Sequence, residues 1–239
     1  MTAAIQNPQG ERLDYSFHPA SDSTRILIIG HGVTGNKDRP WAEALGNAVS
    51  AAGIPALRFS FAGNGESEGA FRDCTISKEV SDLGAVIDAV DGDYDEVIYA
   101  GHSMGGAVGV LRTAADDRIK KLISLAGMVH TKRFTEEEFG EVTPDSGFMW
   151  EDEECPLSSA YVNDLTEIGS TISKASEIKV PWLLIHGDAD DVIPIGESRE
   201  IFAEANEPKK LIELPGVNHV FADAGQAPMT AAVVEWLNA

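Results

Sequence analysis

Short apolar runs alternate with stretches of helical periodicity along almost the whole chain. Six of these runs are typical of buried parallel strands. They cover residues 25–29, 55–61, 96–100, 121–126, 181–186 and 209–214. Apolar residues recur at helical spacing in segments 41–52, 77–90, 104–115, 196–206 and 224–237. This alternation predicts an α/β fold with a mainly parallel sheet and helices on both faces, and residues 11–18 are a candidate antiparallel strand at its front.

The segment 127–175 interrupts this pattern. It separates two predicted strands by far more residues than one connecting helix needs, and it is rich in acidic residues. Its aromatic residues are Phe134, Phe139, Phe148, Trp150 and Tyr161. Disordered segments are poor in aromatic residues, and long insertions in compact domains usually serve a function. We therefore expect an ordered, functional insertion at this point.

Composition limits the partners of the chain. Its formal net charge of −21 disfavours nucleic acids and anionic membrane surfaces as partners. We expect no membrane span, because no apolar stretch is long enough, and residues 1–10 do not form a secretory signal. Cys74 and Cys155 lack the spacing of a metal site or a redox motif. These features favour a cytoplasmic protein without a bound metal. The alternative that stays open is a mature form from which a secretory signal has already been removed.

The G-x-S-x-G motif of serine nucleophiles occurs twice, at 101–105 and at 65–69. Ser103 follows a predicted strand and directly precedes a predicted helix, which is the context that presents a serine hydroxyl above a sheet. Ser67 lies in a glycine-rich loop between two glutamates, whose charge would oppose a developing oxyanion. The context favours Ser103 as nucleophile and Ser67 as a loop residue.

A serine nucleophile needs a general base and a group that orients the base. The chain has six histidines, and His219 follows the last predicted strand, at the sheet edge where ligands bind in open α/β folds. The other five are His18, His31, His102, His130 and His186. Asp188, Asp190 and Asp191 follow the preceding strand and compete for the orienting role. Their spacing does not match an EF-hand calcium loop.

An oxyanion formed at Ser103 would need two N–H donors. The N–H of Met104, directly after the nucleophile, is one candidate. The second is the N–H of Val33 in the glycine-rich loop 30–35, after the first central strand. That loop matches neither of the two glycine patterns that bind nucleotide phosphates.

Five sequence blocks together resemble the α/β-hydrolase superfamily, in particular small carboxylesterases such as cinnamoyl and feruloyl esterases and the related monoacylglycerol lipases. The blocks are 31–37, 58–69, 101–106, 186–194 and 216–219. The resemblance implies an α/β-hydrolase core at 1–126 and 176–239, with a cap insertion at 127–175. It also implies Ser103 as nucleophile, His219 as base and Asp190 as the acid.

The expected function is hydrolysis of a carboxylic ester through an acyl-enzyme on Ser103, without a cofactor, and the expected partner is a small-molecule ester. Seven acidic residues of the insertion would disfavour polyanionic substrates: Glu136, Glu137, Glu138, Glu151, Asp152, Glu153 and Glu154. Neutral esters are the substrates expected first. Monoacylglycerols and peptide amino termini, the latter as in serine aminopeptidases, are the alternatives. A non-catalytic small-molecule binding protein on the same fold is the alternative of another class. The sequence leaves the oligomeric state open, a homodimer included.

Overall fold

The computed structural model describes residues 4–21 and 24–239. The strands are β1 (Ile5–Gln6), β2 (Arg12–Leu13), β3 (Tyr15–His18), β4 (Arg25–Gly30), β5 (Ala56–Phe59), β6 (Glu96–His102), β7 (Ile119–Leu125), β8 (Trp182–Gly187) and β9 (Lys209–Leu214). The helices are α1 (Pro40–Ala51), α2 (Ile76–Val90), α3 (Met104–Ala115), α4 (Thr131–Phe139), α5 (Ser159–Ile168), α6 (Ile172–Ala175), α7 (Ile195–Glu204) and α8 (Gln226–Leu237). Short 3₁₀ turns lie at Phe71–Asp73, Met149–Glu151 and Asp223–Gly225.

Seven strands form one sheet in the order β3-β5-β4-β6-β7-β8-β9. Strand β3 is antiparallel to β5, and the other neighbours are parallel. The chain moves outward from β4 to β5 and then returns to place β6 on the opposite side of β4. The order of strands therefore reverses between β4 and β6, and ligands of open α/β sheets bind outside the carboxyl ends of the strands at such a point.

Each face of this sheet is covered by its own apolar core, because side chains alternate across a strand. In β4, Ile26 and Ile28 belong to one core, whereas Leu27 and Ile29 belong to the other. Helices α2, α3 and α7 pack on the first face, and α1 and α8 pack on the second. The predicted α/β class, the mainly parallel sheet and the helices on both faces are confirmed.

The front of the chain differs from its prediction. Residues 11–18 were expected as one strand, but they divide into β2 and β3, and only β3 joins the large sheet. Strand β2 instead pairs with β1 in a small antiparallel sheet. Two-residue strands carry too little periodicity for a sequence pattern to reveal them.

The segment 127–175 contains α4, α5 and α6 and lies between β7 and β8. Phe134, Phe139 and Tyr161 are buried in it, and the Phe139 ring contacts the rings of Trp150 and Tyr161 at centroid distances of 5.0 and 6.4 Å. The buried carboxylate of Glu197 in α7 accepts hydrogen bonds from the first part of the segment. Within residues 4–21 and 24–239, no helix is long and apolar enough to cross a membrane.

Candidate active site

Ser103 stands at a sharp turn between β6 and α3. Its backbone angles, φ 54° and ψ −119°, lie in a region that non-glycine residues rarely adopt. The two flanking glycines make this turn possible, because a Cβ at Gly101 would collide with the carbonyl oxygen of Gly105, and one at Gly105 with that of His31. The local sequence thus produces the strained strand–turn–helix geometry that the motif predicted.

Ser67 occupies a different environment from Ser103. Its hydroxyl donates to the carbonyl oxygen of Ser60 at 2.7 Å and accepts from the N–H of Asp14 at 2.8 Å. The first bond ties the loop to the end of β5 and the second ties it to the start of the chain, so the hydroxyl stabilises the loop.

Asp190 and His219 meet at the carboxyl end of the sheet. The Nδ1 of His219 and the Oδ2 of Asp190 are 2.8 Å apart, and the Asp190 carboxylate is fully buried. The competing aspartates are exposed, and Asp188 accepts from the N–H of Gly216 at 2.6 Å. Of the three aspartates, Asp190 is the one that is hydrogen-bonded to His219.

Asp190 is held by further donors. The N–H groups of Val192 and Ile193 donate to its Oδ1 at 2.9 and 2.8 Å, and the Nε2 of His186 lies 3.0 Å from its Oδ2. Burial raises the pKa of Asp190, but the hydrogen bonds from His186 and His219 outweigh burial and keep this pKa below its ordinary value. The carboxylate is therefore charged at neutral pH and can stabilise a positive imidazole at His219.

His102 supports His219 from the opposite side. Its Nε2 donates to the carbonyl oxygen of His219 at 2.8 Å, and the two rings are 4.7 Å apart. Its ring also packs against Trp41 at 4.9 Å. Burial, followed by the proximity of His219, lowers the pKa of His102 to about 3. His102 is thus a neutral residue that holds the backbone of His219.

The loop after β4 lies against Ser103. A Cβ at Gly32 would be 2.8 Å from the Cβ of Ser103, so glycine allows this close approach. His31 fixes the loop, because its Nδ1 donates to the carbonyl oxygen of Gly32 at 2.8 Å and its Nε2 accepts from the N–H of Phe61 at 3.0 Å. Burial lowers the pKa of His31 to about 4, which keeps the ring neutral.

The candidate oxyanion residues lie on either side of this contact. Met104 begins α3, and the first N–H groups of a helix have no partner within the helix. Val33 follows Gly32 in the loop, and Thr34 after it has a φ of 54°. Val33 and Met104 together border a small cavity behind the loop.

A cavity of about 460 Å³, here called the main cavity, opens above Ser103 and His219. Seven of its lining residues have apolar side chains: Val33, Pro40, Trp41, Trp150, Val192, Val220 and Ala222. Arg39, Asp223 and Gln226 add polar groups. Trp150 comes from the insertion and is 45% exposed, so it lies at the mouth. The described residues, 4–21 and 24–239, contain no cluster of His, Cys, Asp or Glu that could hold a metal ion.

The family model described as serine aminopeptidase, S33 matches residues 21–145, which is just over half of the chain. The chain belongs to this family. A relative, the uncharacterized protein YfhR from Salmonella typhi, is 28% identical over 224 residues, with 88% of this chain and 70% of that protein covered.

Solved structures share the whole fold. Est1E from Butyrivibrio proteoclasticus, solved with ferulic acid bound, matches with a TM-score of 0.87 and 26% identity over 99% of this chain and 98% of that one. Mouse alpha/beta hydrolase domain-containing protein 10 matches with a TM-score of 0.82 over 99% of this chain and 98% of that one; its 18% identity shows the fold alone. This S33 member is therefore an α/β-hydrolase that resembles esterases, as the sequence blocks predicted.

Two contributors to the site were missed by the sequence analysis. His186 and His102 were named there only as histidines other than the candidate base, without a role in the site. In the structure His186 contacts Asp190, and His102 contacts His219. The signal that could have found them is position, because both lie at the carboxyl ends of central strands.

Proposed function

We propose that this protein is a serine hydrolase that cleaves carboxylic esters through an acyl-enzyme on Ser103. His219 acts as the general base, Asp190 orients it, and the N–H groups of Val33 and Met104 bind the oxyanion. The observation that carries the proposal is the 2.8 Å contact between Asp190 and His219 beside the main cavity that Ser103 also lines.

In the first step, the Oγ of Ser103 forms a bond to the ester carbonyl carbon as its proton passes to the Nε2 of His219. The carbonyl oxygen becomes an oxyanion, which the two N–H donors stabilise; one such donor typically contributes about 2.7–4 kcal/mol to the transition state. The bond to the leaving alcohol breaks, and His219 returns the proton to the alcohol oxygen.

In the second step, His219 removes a proton from water, and the water oxygen attacks the acyl carbon. The bond to Ser103 breaks, its oxygen takes the proton back, and the carboxylic acid leaves. Because Asp190 is a charged carboxylate at neutral pH, it stabilises the imidazolium that forms in both steps.

We propose that the insertion 127–175 is a cap that selects the substrate. Trp150 brings it to the mouth of the main cavity, where its ring faces a lining that is largely apolar. The Nε1–H of Trp150 donates a hydrogen bond to the carboxylate of Glu138 at 2.8 Å, and this bond holds the ring in place. An ester with an apolar or aromatic group fits this lining, and the similar fold of Est1E with bound ferulic acid supports an aromatic acyl group.

The family description favours one alternative, cleavage at a peptide amino terminus. A substrate ammonium group would need a carboxylate, and Asp223 is the acidic residue among those lining the main cavity. The non-catalytic binding protein is opposed by the contact of Asp190 with His219, since a binding site has no need of an oriented base.

A substrate panel distinguishes these functions. Ethyl ferulate, a short-chain monoacylglycerol, an aminoacyl anilide and an acyl-CoA are compared for the wild type, Ser103→Ala and the loop control Ser67→Ala. We expect turnover of the neutral esters by the wild type and Ser67→Ala, and loss in Ser103→Ala. Preferential cleavage of the anilide would favour the aminopeptidase function, and efficient acyl-CoA hydrolysis would refute the argument from charge.

A further inference from the structure

A second, small cavity lies directly behind the loop that carries Val33. It is here called the inner cavity, and it shares Val33 and Thr34 with the main cavity. Met104 also borders it, so both candidate oxyanion residues do. The two cavities therefore share loop residues beside the candidate oxyanion position.

Two buried polar side chains that border the inner cavity lack partners. Both carboxyl oxygens of Glu79, in α2, have no hydrogen-bond partner among the described residues, nor has the hydroxyl of Tyr161, in α5. Each residue is only 1% exposed. Buried polar groups are almost always hydrogen-bonded, and leaving one unpaired costs about 1–3 kcal/mol.

Three other polar side chains around the inner cavity have partners. The Sγ of Cys74 donates to the carbonyl oxygen of Ala62 at 3.1 Å, and the amide of Asn64 lies 3.3 Å from that same Sγ. The hydroxyl of Ser158 accepts from the N–H of Tyr161. On this lining, the buried side-chain atoms without any partner are those of Glu79 and the Tyr161 hydroxyl.

The chemistry of these two groups selects a neutral ligand. Burial, followed by the charge of Asp82, raises the pKa of Glu79 well above its ordinary value and so favours the neutral, protonated carboxyl. A protonated carboxyl and a phenol each donate and accept one hydrogen bond. The space of about 10 Å³ is close to what a single water-sized group needs. A hydroxyl group meets both conditions.

We propose that Glu79 and Tyr161 form a subsite for a hydroxyl group carried by the acyl part of the substrate, close to its carbonyl. This inference rests on the proposed ester hydrolysis at Ser103 and adds a preference, among esters with small acyl groups, for those that carry a hydroxyl. An acyl group that ends in a methyl group at the same position would leave both polar residues unpaired, and the site therefore discriminates against it.

The test compares ethyl hydroxyacetate with ethyl propanoate, which differ by a hydroxyl in place of a methyl group. The ratio of their kcat/KM values is measured for the wild type, for Tyr161→Phe and for the distant control Tyr94→Phe. Differences in intrinsic reactivity cancel when the ratio is compared between variants. We expect Tyr161→Phe to lower the ratio about fivefold, the equivalent of one neutral hydrogen bond, and Tyr94→Phe to leave it unchanged. Glu79→Gln keeps a donor and an acceptor and should lower the ratio less.

A binding measurement needs no turnover. In Ser103→Ala, hydroxyacetamide and propanamide are titrated by NMR, and the same titration is made with Tyr161→Phe added. We expect tighter binding of hydroxyacetamide, about fivefold, and loss of this preference with Tyr161→Phe. If Tyr161→Phe changes neither the ratio nor the preference, the subsite proposal is wrong. If the wild type cleaves no ester but the preference is found, the proposed hydrolysis fails and the subsite stands.

Discussion

Replacing Asp190 with asparagine is expected to reverse the proton arrangement of His219. The N–H groups of Val192 and Ile193 donate to Oδ1 of Asp190, so they will retain an oxygen at that position. The new amide nitrogen must then face His219 Nδ1, to which the present Oδ2 is bonded at 2.8 Å. An amide N–H directed at Nδ1 requires that nitrogen to be unprotonated, which places the imidazole proton on Nε2.

A histidine with its proton on Nε2 cannot accept the proton of Ser103. We expect kcat to fall by about 10⁴-fold with little change in KM, as is typical when the orienting acid of a triad is neutralised. The amide also faces His186, whose Nε2 lies 3.0 Å from Oδ2, so unfolding free energy should fall by about 1–3 kcal/mol.

The assay is steady-state hydrolysis of ethyl ferulate at pH 7.5, with chemical denaturation to confirm that the variant is folded. Asp191→Asn is the matched control, because it removes the same charge from an exposed position one residue away. The reasoning is refuted if Asp190→Asn folds and keeps a kcat within tenfold of the wild type.

Three further outcomes follow from the contacts of the site. His102→Phe removes the donor to the carbonyl oxygen of His219 but keeps a ring, so kcat is expected to fall about tenfold at unchanged KM, and an unchanged kcat would argue against this positioning role. Trp150→Ala removes an aromatic side chain that lines the main cavity, and it should raise KM for aromatic esters several-fold more than for ethyl acetate. Equal effects on the two kinds of ester would contradict contact between Trp150 and the aromatic group. The folded pKa of His31, about 4, is below its unfolded value near 6.5, so the unfolded state binds the proton first as pH falls. Stability from His31 is therefore complete above about pH 6.5 and is lost towards pH 4, by roughly 3 kcal/mol in denaturation experiments, and a flat profile over that interval would disprove it.

The sequence predicted those parts of the molecule that follow from local periodicity. Central strands such as β4 are apolar on both faces, because helices cover both faces of the sheet, and that pattern is visible without a structure. The turn at Ser103 was also predictable, since the strand, the G-x-S-x-G motif and the helix that form it follow one another directly in the chain.

The supporting contacts could not be predicted in the same way. His102 and His219 are 117 residues apart, and nothing in the sequence near either one specifies their hydrogen bond. The burial of Glu79 was also unpredictable, because carboxylates are usually exposed and the helical pattern of α2 was assigned from its aliphatic residues. Such contacts depend on how distant elements pack, and a sequence pattern reports only the neighbours along one element.

The central claim is that Ser103 is an activated nucleophile. A fluorophosphonate probe reacts with such serines, and mass spectrometry of the labelled peptide locates the modified residue. The account predicts labelling of the wild type at Ser103, equal labelling of Ser67→Ala, and none of Ser103→Ala. Labelling that persists in folded Ser103→Ala, or a wild type that stays unlabelled while a control esterase reacts, would contradict it.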